Sequence, residues 1–188
     1  MSNMITTMTT VHGNTIDFLN PKEEAIVLED ISLPLAQVCC YKSDNVPFYS
    51  IAQHSLNCSK IAREKYDEKM ALYLLLHDAK IAYVSNAADS LKTLVAEVRL
   101  LEKNIEMAIY HHFGLEYPNS CLYMERIKEI DCGILANEIP VILPQLAGIL
   151  PKDMLPYPIE LDFRERSVED VKEEYEDTLN YLVKKYRR

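Results

Sequence analysis

Three short stretches carry polar side chains where the surrounding pattern calls for apolar ones: QHS at 53–55, LHD at 76–78 and IDC at 130–132. His54 lies three residues after Ile51 and four before Cys58, so helical spacing places it on their face. His77 follows Tyr73 by four and precedes Ile81 by four, and Asp131 follows Ile127 by four and precedes Ile134 by three. Asp78 adds a second acid beside His77. Burying one such group without a partner costs on the order of 2–7 kcal/mol. Four of them would consume most of a domain's stability of roughly 5–15 kcal/mol. They are therefore expected to meet one another or to share an ion, and two imidazoles with two carboxylates suit a divalent metal with positions open to water and substrate. Taken singly, each has a plainer reading. An inward histidine often bonds a backbone carbonyl, and an aspartate often caps a helix or binds an arginine.

The elements that must position these groups read as helices. Ser50 to about Tyr66 carries Ile51, Cys58, Ile61 and Ala62 as a stripe, and about Asp67 to Tyr83 carries Met70, Tyr73, Leu74 and Ile81. A helix from about Leu91 to His112 repeats Leu94, Val98, Leu101, Ile105 and Ile109, and the FG pair after His112 stops it. Another runs from about Tyr123 to Ile139 and ends at Pro140; the last follows Ser167, with Val168, Val171, Tyr175, Leu179 and Leu182 at spacings of three and four. Earlier in the chain, Asp30 is a candidate N-cap for a helix containing Leu33, Leu35 and Val38, with Pro34 delaying its start. KSDNVP at 42–47 is a loop, and PVILPQLAGILPKDMLPYP, with five prolines, reads as short apolar turns packed on the core. HGN at 12–14 is a turn signal between β-prone pieces, which predicts a small N-terminal hairpin. The fold class is all-α: one helical bundle over residues 1–188, with that short hairpin as its β content.

Composition narrows the function classes. The chain has 188 residues, 48% of them hydrophobic and 26% charged, enough for one domain with a sizeable core. A net charge of −9 argues against a nucleic-acid polymer or an anionic membrane as partner, since both need clustered basic residues. A small anionic substrate stays open, because a metal or one lysine can reverse the field in a pocket. The five cysteines, Cys39, Cys40, Cys58, Cys121 and Cys132, include no C-x-x-C pair, so reduced thiols are expected. Neither a signal peptide nor an apolar run of transmembrane length is visible, so the expected location is cytoplasmic. His111–His112 at a helix end suits the helix dipole better than chelation, and EDVKEEYED reads as a solvated face. Cys39–Cys40 is a poor redox pair, because adjacent cysteines rarely reach disulfide geometry. The twelve tyrosines are spread through the chain and suggest core or oligomer contacts.

The order H…HD…D resembles that of the metal ligands in the HD-domain phosphohydrolase superfamily. The runs LNPKEEAIVLEDISLPLAQVC, FYSIAQHS, LLLHDAKIAY, LK and IKEIDCGILANE are similar to its branch of 5′-deoxynucleotidases and related small nucleotide phosphohydrolases, over about residues 10 to 140. The resemblance implies an all-helical HD domain and a divalent ion on His54, His77, Asp78 and Asp131 that activates water against a phosphate ester. It also implies a nucleotide ligand, with Lys92 and Asn86 as substrate-side groups, and assembly into homo-oligomers. Mn, Co, Mg, Fe, Ni and Zn all remain open for the ion. The departures concern the proton chemistry. The branch carries a glutamate one turn after the HD pair, where this chain has Ile81, and an aspartate where this chain has Asn86. The expected arginine before the first loop is Cys40, and the proline-bracketed lysine motif survives only as AADSLK. The catalytic acid and base are thus unassigned, with Asp89 and Lys80 as weak substitutes. Two outcomes follow: a metal-dependent hydrolase of (deoxy)nucleoside phosphates, or a descendant that binds or sequesters a nucleotide without turnover.

Overall fold

The computed structural model describes residues 6–41, 47–84, 96–118 and 121–186. The substrate-side candidates Asn86 and Lys92, with Asp89, lie outside these residues, as does most of the 42–47 loop. The expected start of the following helix near Leu91 lies outside them too. Among the described residues the only sheet is a two-stranded antiparallel hairpin, β1 (Thr7–Thr9) and β2 (Thr15–Asp17), with Met8 opposite Ile16. Its HGN turn places Gly13 at φ +83°, a conformation that costs glycine little. The other regular elements are mainly α-helices: α1 (Glu29–Gln37), α2 (Ile51–Lys65), α3 (Glu68–Leu76), α4 (Ala96–His112), α5 (Cys121–Gly133), α6 (Leu135–Ile142) and α7 (Val168–Tyr186). Short 3-10 turns at Glu23–Ala25, Ala79–Ala82 and Pro144–Ile149 join them. The all-α expectation, with an N-terminal hairpin, holds.

One buried apolar cluster runs from Ile16 of the hairpin to Leu182 of α7. Helices α2 and α3 pack on each other, and α7 crosses α1, α2 and α3. Its Val171, Tyr175, Leu179 and Leu182 are the residues that the three–four spacing marks as inward, and all four are buried. Tyr175 also donates its hydroxyl to the Leu75 carbonyl at 2.8 Å, which fastens α7 to the end of α3. A smaller cluster of Tyr49, Ile139, Ile142 and Leu143 holds α6 against the start of α2.

Several helix boundaries differ from those the spacing predicts, each for a local reason. Asp30 lies inside α1, not at its cap. Its carboxylate is occupied by His12 Nδ1 at 2.5 Å and Asn14 Nδ2 at 3.0 Å, so the hairpin turn holds it, and Pro34 sits within the helix. The third helix stops at Leu76 instead of continuing to Tyr83. There the His77 ring takes up the Leu74 carbonyl at 2.7 Å, Tyr175 takes that of Leu75 and Lys80 Nζ takes that of His77 at 3.0 Å. Side chains thus satisfy carbonyls that the next helical turn would have used.

The helix expected over 123–139 is two helices, α5 and α6, broken at Ile134. Gly133 at the break lies under the Tyr157 ring, whose hydroxyl would be 2.6 Å from a Cβ there. Pro140 does not end α6, which continues to Ile142. The proline-rich stretch is less buried than expected, with Ile149 71% and Leu155 78% exposed. The chain that follows it lies along α2: Asn57 exchanges two hydrogen bonds with the Asp162 backbone, and Gln53 Nε2 donates to the Arg164 carbonyl at 2.9 Å.

Candidate metal centre

Helix α2 presents His54 because its first turn is tightly fixed. Ser50 caps it, accepting from the Gln53 backbone at 3.2 Å, while the Gln53 side chain accepts from the Ser50 backbone at 3.1 Å. This reciprocal pair is the capping box, and it sets the phase of the helix one residue before His54. His77 and Asp78 come from the unwinding end of α3, and Asp131 comes from the last turn of α5. His54 and His77 are 4% and 6% exposed, with ring centroids 5.4 Å apart. The side chain of Asp131 is 45% exposed, so the cluster opens to solvent on that side.

Three of the four expected ligands converge directly. Asp131 Oδ1 lies 3.2 Å from His54 Nε2 and 3.5 Å from His77 Nε2, and Asp78 Oδ2 lies 3.6 Å from His77 Nε2. The outer nitrogen of each ring is already committed. His77 Nδ1 faces the Leu74 carbonyl and must donate to it, and His54 Nδ1 faces Glu138 Oε1 at 2.8 Å. In the neutral rings, both Nε2 atoms therefore present lone pairs to carboxylate oxygens. His77 Nε2 is buried and makes no hydrogen bond. An arrangement of lone pairs and carboxylates around one point is stable only with positive charge among them.

Protons or a metal ion could supply that charge. Burial works against a charge on His54, yet Cys58, Glu138 and Asp131 hold its pKa well above the ordinary imidazole value. Burial likewise opposes charge on His77, and Asp78 and Asp131 outweigh it. Burial would raise the Asp131 carboxyl, but hydrogen bonding to the two rings pulls it far below the usual carboxylate range. A divalent ion fits the donor set. Ligands about 2.0–2.2 Å from a tetrahedral ion lie about 3.4 Å from one another, which is the scale of the observed separations.

Two contributors went unread in the sequence. Glu138 of α6 is fully buried and accepts from His54, from Tyr49 at 2.8 Å and from Tyr41. Asn57 Nδ2 in turn donates to the Tyr49 hydroxyl at 2.9 Å. A carboxylate behind a ligating histidine fixes its tautomer and raises its basicity. The second contributor is Cys58, read only as a stripe residue. His54, Cys58 and His77 form a buried group whose ligand atoms all lie within 4.8 Å of one another and could hold a metal ion. Burial pushes the Cys58 thiol up to about 11, so its ionisation requires a cation.

Other expectations resolve locally. Ile81, at the position of the expected glutamate, is half-buried against the core. Lys80 is engaged by the His77 carbonyl and by Glu106 at 3.1 Å. Cys40 is wedged between the two apolar clusters, and burial pushes its thiol up to about 12. His112 Nδ1 donates to the Glu23 carbonyl at 2.8 Å and His111 Nδ1 faces the Glu23 carboxylate at 3.4 Å. Gly114, at φ +82°, ends α4 where the FG pair predicts.

No protein-family model matches the sequence. A segment of 116 residues is 31% identical to the uncharacterized protein YfdR of Escherichia coli (strain K12). The match takes in 62% of this chain and 61% of that relative. Among the described residues, no helix is long and apolar enough to cross a membrane.

Proposed function

We propose that this chain is a metal-dependent phosphohydrolase of the HD type acting on (deoxy)nucleoside phosphates. The observation that supports this reading most is the meeting of His54 Nε2, His77 Nε2 and Asp131 Oδ1, each ring locked from behind by Glu138 or the Leu74 carbonyl. His54, His77 and Asp131 would hold a divalent ion, with Asp78 beside them. When bound, such an ion supplies Lewis acidity and an activated water at neutral pH. The chain's own part is to engage Nδ1 of each ring from behind, so that Nε2 faces the ion, to bury both rings and to leave the Asp131 side open for a phosphate. In this reading the nucleotide is the small-molecule partner, the chain self-associates and its location is cytoplasmic.

A second reading, binding or sequestration without turnover, is favoured by Ile81. An apolar side chain packed on the core neither takes nor gives a proton, and a lost general base typically costs about 10²–10⁴-fold.

Metal analysis of the purified protein and of His77→Ala is the first test. Bound metal in the parent and loss of most of it in the variant is expected; equal, near-zero metal in both overturns the reading. Phosphate release from nucleotides with Mn²⁺, Co²⁺ or Mg²⁺ then separates enzyme from binder. Ile81→Glu is expected to raise that release by about tenfold or more. An unchanged rate would place the proton route elsewhere, and thermal shifts with nucleotide but no release would favour sequestration.

A further inference from the structure

Helix α2 places Cys58 one turn after His54, fully buried, with Sγ 3.5 Å from His54 Nε2. Two residues four apart on a helix share a face and can chelate together, as paired histidines at that spacing do. A hydrogen bond alone, from the thiol to His54 Nε2, accounts for that one contact. It leaves Asp131 Oδ1 facing the same nitrogen at 3.2 Å without a proton between them, and it leaves His77 Nε2 buried with no partner. A cation among the ligand atoms of His54, Cys58 and His77, which lie within 4.8 Å of one another, with Asp131 Oδ1 3.2 and 3.5 Å from the two Nε2 atoms, accounts for these contacts together. With metal–sulfur bonds of about 2.3 Å and metal–nitrogen bonds of about 2.0–2.1 Å, tetrahedral ligands sit about 3.6 Å apart for S···N. The observed Sγ···Nε2 separation of 3.5 Å is close to that edge.

We infer that Cys58 is a thiolate ligand of the ion held by His54, His77 and Asp131, and that the site takes a borderline-soft divalent ion of the zinc or cobalt class, not magnesium. This inference rests on the metal-centre reading above and deepens it. On binding, the Cys58 S–H bond breaks, its electron pair goes to the ion and the proton leaves to solvent. Asp78, 3.6 Å from His77 Nε2 and one-quarter exposed, then stands beside the set. A thiolate among the ligands selects against magnesium, which prefers oxygen donors and near-ideal octahedral geometry. It also donates charge to the ion, which makes any bound water less acidic than an oxygen-rich set would.

The test is a titration of the metal-free protein with Co²⁺, read by absorption. A near-ultraviolet thiolate-to-cobalt charge-transfer band is expected alongside the visible ligand-field bands, and a tenfold excess of Mg²⁺ should leave both unchanged. Cys58→Val, which keeps an apolar side chain in the core, should lose the charge-transfer band and weaken Co²⁺ binding tenfold or more. Cys40→Ala should retain the band. Cobalt bound by the parent without that band, or a band that persists in a folded Cys58→Val, overturns thiolate ligation and leaves the rest of the metal centre standing. No cobalt uptake by the parent overturns both. Should Cys58→Val fail to fold, Cys58→Ser serves instead, with the same loss of the charge-transfer band expected and its persistence overturning the inference.

Discussion

Glu138 has three donors around one buried carboxylate, and its effect on His54 is indirect. By accepting the Nδ1 proton it leaves Nε2 free to face Asp131. Glu138→Gln keeps the volume but offers an amide that can satisfy the ring only by turning its oxygen inward, which sets its NH₂ against the tyrosine donors. We expect metal affinity to fall about 10–100-fold, as for other outer partners of ligating histidines, with secondary structure retained. A competition titration against a chromophoric chelator measures this, and unchanged affinity would show that Glu138 is merely a core acceptor. His54, His77 and Asp131 were legible in the sequence because each interrupts an apolar stripe. Glu138 was not, because its direction depends on the break at Ile134, and nothing in ANEIP announces that a polar residue beside a proline points inward. Cys58 hid for the opposite reason: cysteine fits an apolar stripe so well that its donor capacity leaves no trace in the pattern.

Helices with strong local signals were the legible ones. Ser50 and Gln53 mark the start of α2, and Ser167 that of α7, where its hydroxyl accepts from Asp170 at 3.1 Å. Ser50→Ala removes one half of the capping box and is expected to destabilise the fold by about 1–2 kcal/mol, measurable by urea denaturation. A smaller loss would mean that burial of Ile51 and Ala52 alone fixes the helix start. Helix ends decided by distant side chains were not legible. The stop of α3 needs Tyr175, one hundred residues away, and the misread cap at Asp30 needs the hairpin turn.

Asp30 also gives α1 a pH dependence. Burial alone would raise its carboxyl, but hydrogen bonds from His12, Asn14 and Thr10 hold it below its ordinary value near 3.8. A carboxyl lowered on folding stabilises the protein above its unfolded value and loses that contribution as pH falls through the folded one. Asp30→Asn is therefore expected to cost about 1–3 kcal/mol at neutral pH, with the difference from the parent shrinking below about pH 4. Denaturation curves at stepped pH test this, and a difference that stays constant with pH would dismiss the carboxylate as the source.

At the scale of the molecule, α7 and the segment before it close the helical layer over α2 and α3, while the hairpin closes the other end through Asp30. The candidate metal centre sits where α2, the end of α3, α5 and α6 meet. Three of these four elements contribute a single inward polar side chain or pair, and the fourth, α6, stands behind. The order of these helices in the chain was readable from periodicity. Their convergence was readable only as an energetic requirement, that buried polar groups find partners, and the structure supplies the partners.

Asp78, Asp131 and Glu138 crowd the two rings, so without a cation the three carboxylates make the centre a region of negative potential. Lys80, next in the chain to Asp78, is already held by Glu106. Under the function proposed above, a phosphate would meet repulsion until the ion is in place, which predicts a compulsory order of binding: metal first, nucleotide second. The same coupling must run in reverse, so a nucleotide should tighten the ion by the factor with which the ion tightens the nucleotide, typically about 5–150-fold. Calorimetric titration of a deoxynucleotide into metal-free and metal-loaded protein should show heat only in the second case. Equal binding in both would mean that the phosphate is held by groups outside this cluster.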